Sequence, residues 1–184
     1  LTSLTNKVFA PVKPMVERHV DTFKQLGFSI DLTNAQFPEK AILSEEILSI
    51  TGTKNQNWIG IAPFAQYESK VYPIDLMQQV IDGLTENKNN KIFLFGGGVK
   101  EIQLLNQLQS QHENVIVLAG KLKFKQELEV ISNLDGMLSM DSGNAHIAAM
   151  LGVKVITIWL QTELNIHYYQ LLFMEIKKWK VIQM

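Results

Sequence analysis

The sequence has 184 residues, of which 46% are hydrophobic and 19% charged, as in a globular protein of one domain or one domain plus an appendage. Its formal net charge of −1 provides no electrostatic field for binding nucleic acid or an anionic membrane. Cysteine is absent, which excludes disulfide bonds and thiolate metal sites and fits a reducing compartment.

Membrane-spanning and export signals are not found in the sequence. No apolar run approaches the roughly 20 residues that a membrane-spanning helix needs. The first residues do not show the basic, apolar and small-residue succession of a signal peptide. We therefore expect no transmembrane segment. Because the sequence begins with Leu1 rather than methionine, we also expect it to be cut from something longer.

Residues 1–57 are predicted to form a connector segment that docks on the main domain. Residues 8–26 have the apolar spacing of one amphipathic helix, and Gly27 is suited to end it. Residues 42–50 fit either a short strand or a short helix.

Residues 58–160 are predicted to form a Rossmann-like α/β domain. The predicted strands are Trp58–Ala62, Lys91–Phe95, Val115–Leu118, Gly136–Met140 and Lys154–Ile158. The predicted helices are Ile74–Glu86, Lys100–Gln111, Lys125–Asn133 and Gly143–Leu151. Most of the strand candidates are continuous apolar runs, as expected of strands buried on both faces. Strand, helix and strand in regular succession predict right-handed crossovers and a parallel sheet covered by helices.

The tail, residues 161–184, departs from this rhythm, and the sequence assigns it no role. Its stretch from Leu164 to Trp179 is rich in aliphatic and aromatic residues, and its pattern permits a helix.

The most informative stretch, Asp141-Ser142-Gly143-Asn144-Ala145-His146, follows a predicted strand and opens a predicted helix. Open parallel sheets bind ligands outside the carboxyl ends of their strands, and a helix N-terminus there suits a diphosphate. Ser142 and Gly143 allow close approach of the backbone, and His146 would face the ligand from one turn further on. Taken alone, the stretch is also explained by a helix cap at Asp141 or Ser142 and a partly buried His146.

Two other strand-to-helix loops carry residues that suit a nucleotide. Lys70 follows the first predicted strand and would reach a phosphate, although a solvated lysine also explains this residue in isolation. Gly96, Gly97 and Gly98 follow the second strand, where they permit a tight turn and close approach of a ligand. Glu101, just past these glycines, would accept both hydroxyls of a ribose. Three glycines alone equally make a plain strand-to-helix turn.

Other catalytic schemes find no support in the sequence. It contains no cysteine nucleophile and no Gly-x-Ser-x-Gly elbow. Its histidines lack metal-ligand spacing, and no calcium loop occurs. We therefore expect neither a metal site nor a resident cofactor.

Together the three loops resemble glycosyltransferase family nine, the ADP-heptose:lipopolysaccharide heptosyltransferases. The likeness rests on Asp-Ser-Gly-x-x-His-x-Ala-x-x-x-Gly from Asp141, Pro-x-x-x-x-x-x-Lys-x-x-Pro from Pro63 and Phe-Gly-Gly from Phe95, and it covers residues 15–162. It implies a two-domain GT-B architecture in which this chain is the C-terminal half that binds the donor. The acceptor would be held by an N-terminal domain that the chain lacks.

The resemblance also implies a donor-binding site composed of Lys70, Gly97, Glu101, Leu122, Asp141, Ser142, Gly143 and His146. Lys70, Ser142 and Gly143 would hold the diphosphate, Glu101 the ribose hydroxyls and Asp141 the sugar hydroxyls.

The base of the nucleotide is assigned by the same resemblance. The segment Gly120-Lys121-Leu122 matches the place where the family holds its adenine, and His146 would line the same pocket as the diphosphate. Two positions depart from the family pattern. Gln66 stands where a hydroxyl residue is usual, and the sequence after Trp159 lacks the usual Gly and Thr-x-Pro loop.

The implied function is inverting transfer of heptose from ADP-heptose to a lipopolysaccharide core acceptor, without an essential metal, on the cytoplasmic side of the inner membrane. The general base would be an aspartate of the N-terminal domain, so no catalytic residue is expected in this chain. The alternatives are a non-catalytic nucleotide-binding module, such as a truncated remnant, and another nucleotide-sugar enzyme of the same architecture, such as an epimerase.

Overall fold

The computed structural model describes residues 13–33, 36–110, 112–163, 166–175 and 178–183, with side chains up to residue 158. The chain divides into two compact units, Leu1–Gln36 and Phe37–Met184. The first unit contains helix α1, Met15–Gln25. As predicted, the helix ends before Gly27, whose φ of 88° is readily adopted only by glycine. The first residues of the predicted helix, 8–12, lie outside the described part, and its docking stays a prediction.

The second unit alternates strands and helices along the chain. The helices are α2 (Glu45–Thr51), α3 (Ile74–Glu86), α4 (Gly98–Gln109), α5 (Phe124–Ser132) and α6 (Gly143–Met150), and a 3-10 turn spans Glu68–Lys70. The strands are β1 (Asn57–Ala62), β2 (Asn90–Leu94), β3 (Val115–Val117), β4 (Gly136–Met140), β5 (Val155–Glu163), β6 (Ile166–Glu175) and β7 (Lys178–Gln183).

Within the described residues the strands form one seven-stranded sheet in the order β3-β2-β1-β4-β5-β6-β7. The pairs among β1 to β5 are parallel, whereas β6 and β7 are antiparallel to their neighbours. The predicted five-stranded parallel sheet is therefore confirmed, with small shifts at the strand ends. Strands β2 and β3 are added on one side of β1, and β4 and β5 on its other side. The order of strand addition therefore reverses between β1 and β4, which makes this pair the topological switch point of the fold.

Both faces of the parallel strands are covered by apolar layers. Trp58 and Phe93 lie in one layer, which also receives α2, α5 and α6, and their rings meet edge to face at 4.8 Å between centroids. Ile61 and Ile92 lie in the other layer beneath α3 and α4. Burial on both faces explains why the strand sequences are apolar without strict alternation.

Residues 37–57 belong to the main unit, because they pack and hydrogen-bond there. Ile47 of α2 is fully buried in the core. The backbone of Ala41 accepts a hydrogen bond from Asn133 Nδ2 at 2.8 Å and donates one to Ser132 Oγ at 3.1 Å. The structure thus divides the chain at residue 36 rather than at residue 57, and residues 42–50, left open between strand and helix, contain α2.

The tail forms strands where its sequence permitted a helix. The described residues between Leu164 and Trp179 belong to β6 and β7, so a helix at this position is wrong. The edge of β5 offers unpaired backbone groups along nine residues, and β6 pairs with all of them. The aromatic and β-branched residues of this segment also favour strands.

An apolar cavity of about 620 Å³ lies over the α3-side face of the sheet, where Ile59, Leu138 and Ile156 are partly exposed.

No helix among the described residues is both long and apolar enough to cross a membrane.

Asp135 secures the start of the β1–β4 pair. Its Oδ2 accepts a hydrogen bond from the backbone N–H of Trp58 at 2.8 Å, and its Oδ1 accepts one from Lys54 Nζ at 2.8 Å. Partial burial acts to raise the pKa of Asp135, but the hydrogen bonds from Lys54 and Trp58 outweigh it and lower that pKa. A lowered folded-state pKa means that the carboxylate stabilises the fold at pH values above its ordinary titration range and loses this effect as pH falls.

We expect Asp135→Asn to lower the free energy of unfolding at pH 7 by about 1 kcal/mol, a value reduced for the solvent exposure of the pair. The difference should shrink as the pH falls below about 4, because the wild-type carboxyl then takes up its proton. Urea unfolding at several pH values measures this. Glu39→Gln at an exposed carboxylate is the control. An unchanged difference between pH 7 and pH 3 would contradict the assigned role of the carboxylate.

Candidate functional site

A cavity of about 450 Å³ opens at the carboxyl ends of β1, β2 and β4, at the switch point of the sheet. Three loops line it, one after each of these strands. They contribute Phe64 to Tyr67 and Lys70 after β1, Phe95 to Gly97 after β2, and Asp141 to Asn144 after β4. The cavity therefore joins the three motifs that the sequence places at successive strand ends.

The loop after β4 leads directly into α6. Ser142 is the N-cap residue, with φ −142° and ψ 167°, and within the described part its side chain makes no capping hydrogen bond. Its Oγ lies instead 2.8 Å from Ser139 Oγ. The first-turn N–H groups of α6 thus carry their partial positive charge at the cavity without a side-chain acceptor from the cap.

The loop after β2 presents a second helix N-terminus, that of α4. Gly97 is its N-cap residue and Gly98 has a φ of 74°, so the turn needs glycine there. A Cβ at Gly96 would come within 3.0 Å of Glu101 Oε2 and of Leu105, which explains a glycine without positive φ. Glu101 Oε2 accepts the N–H of Gly97 at 2.8 Å, so its carboxylate is fixed at the cavity wall.

An ion pair joins the loops after β1 and β4. The 3-10 turn brings Lys70 Nζ to 2.6 Å from Asp141 Oδ2, and the same ammonium lies 5.9 Å from the ring centre of Tyr67. The Asp141 side chain is 19% exposed and that of Lys70 is 39% exposed. An anion bound in this cavity would lie near both the lysine and the helix N-termini, and it would compete with Asp141 for the lysine.

The structure brings together every residue of the predicted site except Leu122. Lys70, Gly97, Glu101, Asp141, Ser142, Gly143 and His146 all line the cavity. Leu122 instead packs, partly buried, against the apolar layer of α5 and α6. In the same loop, a Cβ at Gly120 would lie 3.0 Å from Ile102 of α4, the residue after Glu101.

Several lining residues were not selected from the sequence. Phe64, Ala65, Tyr67, Phe95 and Asn144 line the cavity next to the selected residues. Their types carry no chemical signal of their own, so only their position in the same strand-end loops could have identified them.

Comparison with known proteins places these features in a family. The model of glycosyltransferase family 9 (heptosyltransferase) matches residues 2–166. Lipopolysaccharide heptosyltransferase 1 of Campylobacter coli is 28% identical over 151 residues, which cover 79% of this chain and 42% of that protein. The core heptosyltransferase OpsX of Haemophilus influenzae is 30% identical over 100 residues, which cover 54% of this chain and 29% of that protein.

Among solved structures, the E. coli heptosyltransferase WaaC with ADP has a TM-score of 0.65 and 24% identity. That similarity covers 85% of this chain and 48% of WaaC, so the two share the fold over about half of WaaC. The chain likewise spans less than half the length of the curated relatives that it matches. Because the family model covers most of the chain, the protein belongs to glycosyltransferase family 9, the heptosyltransferase family.

Proposed function

We propose that this chain binds the nucleotide-sugar donor of a heptosyltransferase that acts in lipopolysaccharide core biosynthesis. The observation that carries the proposal is the convergence of two helix N-termini and Lys70 on one cavity at the switch point. This arrangement suits a diphosphate, because backbone N–H groups, the helix dipoles and an ammonium group all favour negative charge at the same place. The named relatives are heptosyltransferases, and WaaC was solved with ADP, which makes ADP-heptose the donor to test.

The diphosphate is assigned to the loops after β1 and β4. Ser142 and Gly143 offer the N-terminus of α6, and Lys70 stands opposite on the loop after β1. Lys70 then turns from Asp141 to the phosphates, and Asp141 becomes available to accept hydroxyls of the sugar. His146 lines the cavity one turn into α6, beside these groups.

The nucleoside is assigned to the loop after β2. Glu101 is held at the cavity wall by Gly97, where its carboxylate suits the two ribose hydroxyls. The base extends from there toward the segment Gly120–Leu122, which lies close to α4, since a Cβ at Gly120 would lie 3.0 Å from Ile102. Leu122 packs against the apolar layer and does not line the cavity, so we assign it no direct contact with the base.

The chemistry that this site can supply is stabilisation of the leaving group. An acceptor hydroxyl attacks the anomeric carbon, the bond from that carbon to the diphosphate oxygen breaks, and its electron pair passes to ADP. The α6 N-terminus and Lys70 lie where this negative charge develops. A general base takes the proton of the acceptor hydroxyl, and we assign that base to the domain that binds the acceptor, because Asp141 and Glu101 are engaged by the donor.

We expect the chain to bind ADP in a salt-sensitive manner, and Lys70→Ala to weaken this binding by about tenfold or more, the loss typical of a charge-assisted contact. Lys123→Ala is the matched control, since Lys123 is an exposed lysine outside the cavity lining. Calorimetric titration measures both variants. Equal losses for the two lysines would reject the assignment of Lys70 to the diphosphate.

We further expect the 184 residues alone to transfer no sugar from ADP-heptose to a lipopolysaccharide acceptor. General-base help is worth about 10²–10⁴ in rate, and acceptor positioning adds further powers of ten. A radiolabelled transfer assay with and without an added acceptor-binding half tests this. Clear turnover by the chain alone that Asp141→Ala abolishes would show that the base lies within these residues.

A further inference from the structure

A pair of serine hydroxyls lies where β4 passes into α6. Ser139 is fully buried on β4, and its Oγ donates a hydrogen bond to the carbonyl oxygen of Met140 at 2.9 Å. The same Oγ lies 2.8 Å from Ser142 Oγ. A serine hydroxyl carries one proton, so when Ser139 donates to Met140, the hydroxyl of Ser142 must donate to Ser139.

This contact turns the hydroxyl of Ser142 away from the N-terminus of α6, which an N-cap serine ordinarily caps. A serine at an N-cap position ordinarily turns its oxygen toward an N–H group of the first helical turn. Ser44, the N-cap residue of α2, does this and accepts a hydrogen bond from the N–H of Ile47 at 3.4 Å. Ser142 has a similarly extended backbone at the N-cap of α6, yet makes no such bond within the described part of the chain.

We propose that Ser139 is a positioning residue of the donor site, an inference that rests on the proposed function. By holding the Ser142 Oγ at 2.8 Å, Ser139 keeps that side chain turned away from the N-terminus of α6 and leaves the first-turn N–H groups open to the anionic oxygens of the nucleotide. A capping serine would place its own oxygen on these N–H groups, where it would compete with the ligand. The contact with Ser139 avoids this competition.

The test is a double-substitution cycle on the full chain, read by calorimetric titration with ADP. Ser139→Ala should weaken ADP binding by about tenfold, because a released Ser142 hydroxyl then caps α6 and has to be displaced. In the Ser142→Ala background no hydroxyl can swing onto the helix, so adding Ser139→Ala should change the affinity no further. Equal losses in both backgrounds, or no loss in either, would overturn the proposal.

Thr157→Val provides the matched control. Thr157 is also buried, lies beside Ser139 on the neighbouring strand β5, and has an Oγ1 without a hydrogen-bond partner among the described residues. The substitution removes a buried hydroxyl from the same layer and puts a methyl group in its place, and ADP affinity should stay the same. If Thr157→Val weakens binding as much as Ser139→Ala does, packing of this layer explains the effect and the proposal is wrong.

A measurement without ligand separates this inference from the proposed function. Amide hydrogen exchange of Asn144 and Ala145, in the first turn of α6, should slow in Ser139→Ala and return to the wild-type rate when Ser142→Ala is added. Slowing of this kind shows that Ser139 holds the Ser142 hydroxyl off the helix, whatever the affinity for ADP. Failure of the wild-type chain to bind ADP would instead reject the donor site, and with it the role of Ser139 in ligand binding. Unchanged exchange in Ser139→Ala would overturn the role of Ser139 whatever the affinity.

Discussion

The parallel pairing of β1 with β4 is the contact on which the candidate site depends. Along the chain β2 and β3 extend the sheet on one side of β1, and β4 then returns to its other side. The loops after β1, β2 and β4 therefore end at one edge of the sheet, around one cavity. Asp135 secures the opposite end of this pair through the backbone of Trp58, so fold stability and site geometry share the same two strands.

Backbone N–H groups and a few charged side chains together determine the electrostatics at this edge of the sheet. The N-termini of α4 and α6 provide fixed partial charges that need no rearrangement when an anion arrives. Lys70 and Asp141 neutralise each other across the cavity, which makes a partly buried charge tolerable in the absence of ligand. In the proposed function the ligand replaces this ion pair with two contacts of its own, one for each partner. Such an exchange favours a ligand that carries both a diphosphate and sugar hydroxyls over a simple anion.

The parallel sheet could be predicted from local sequence, and so could the presence of Lys70, Glu101 and Asp141 at strand ends, because apolar runs, glycine turns and charged strand-end residues all follow short-range rules. Leu122, which only the family resemblance assigned to the site, packs instead against the apolar layer of α5 and α6. The tail shows the limit of such rules. Its sequence pattern is compatible with a helix, but the segment forms a strand that pairs with the edge of β5. This pairing is a long-range effect that local patterns do not predict. The held hydroxyl of Ser142 depends on a neighbour on β4 and could not be predicted from a capping motif.

In the proposed function ADP binds in this cavity, with its diphosphate at the N-terminus of α6 beside Lys70 and its nucleoside at the loop that leads into α4. An NMR titration of the isotope-labelled chain with ADP tests it most directly, because each backbone amide reports on its own surroundings. We expect saturable shifts concentrated at Gly97, Gly98, Gly143 and Asn144, and a weaker response in Lys70→Ala. Saturable shifts confined to the apolar cavity around Leu138 and Ile156, with none at the two helix N-termini, would contradict it.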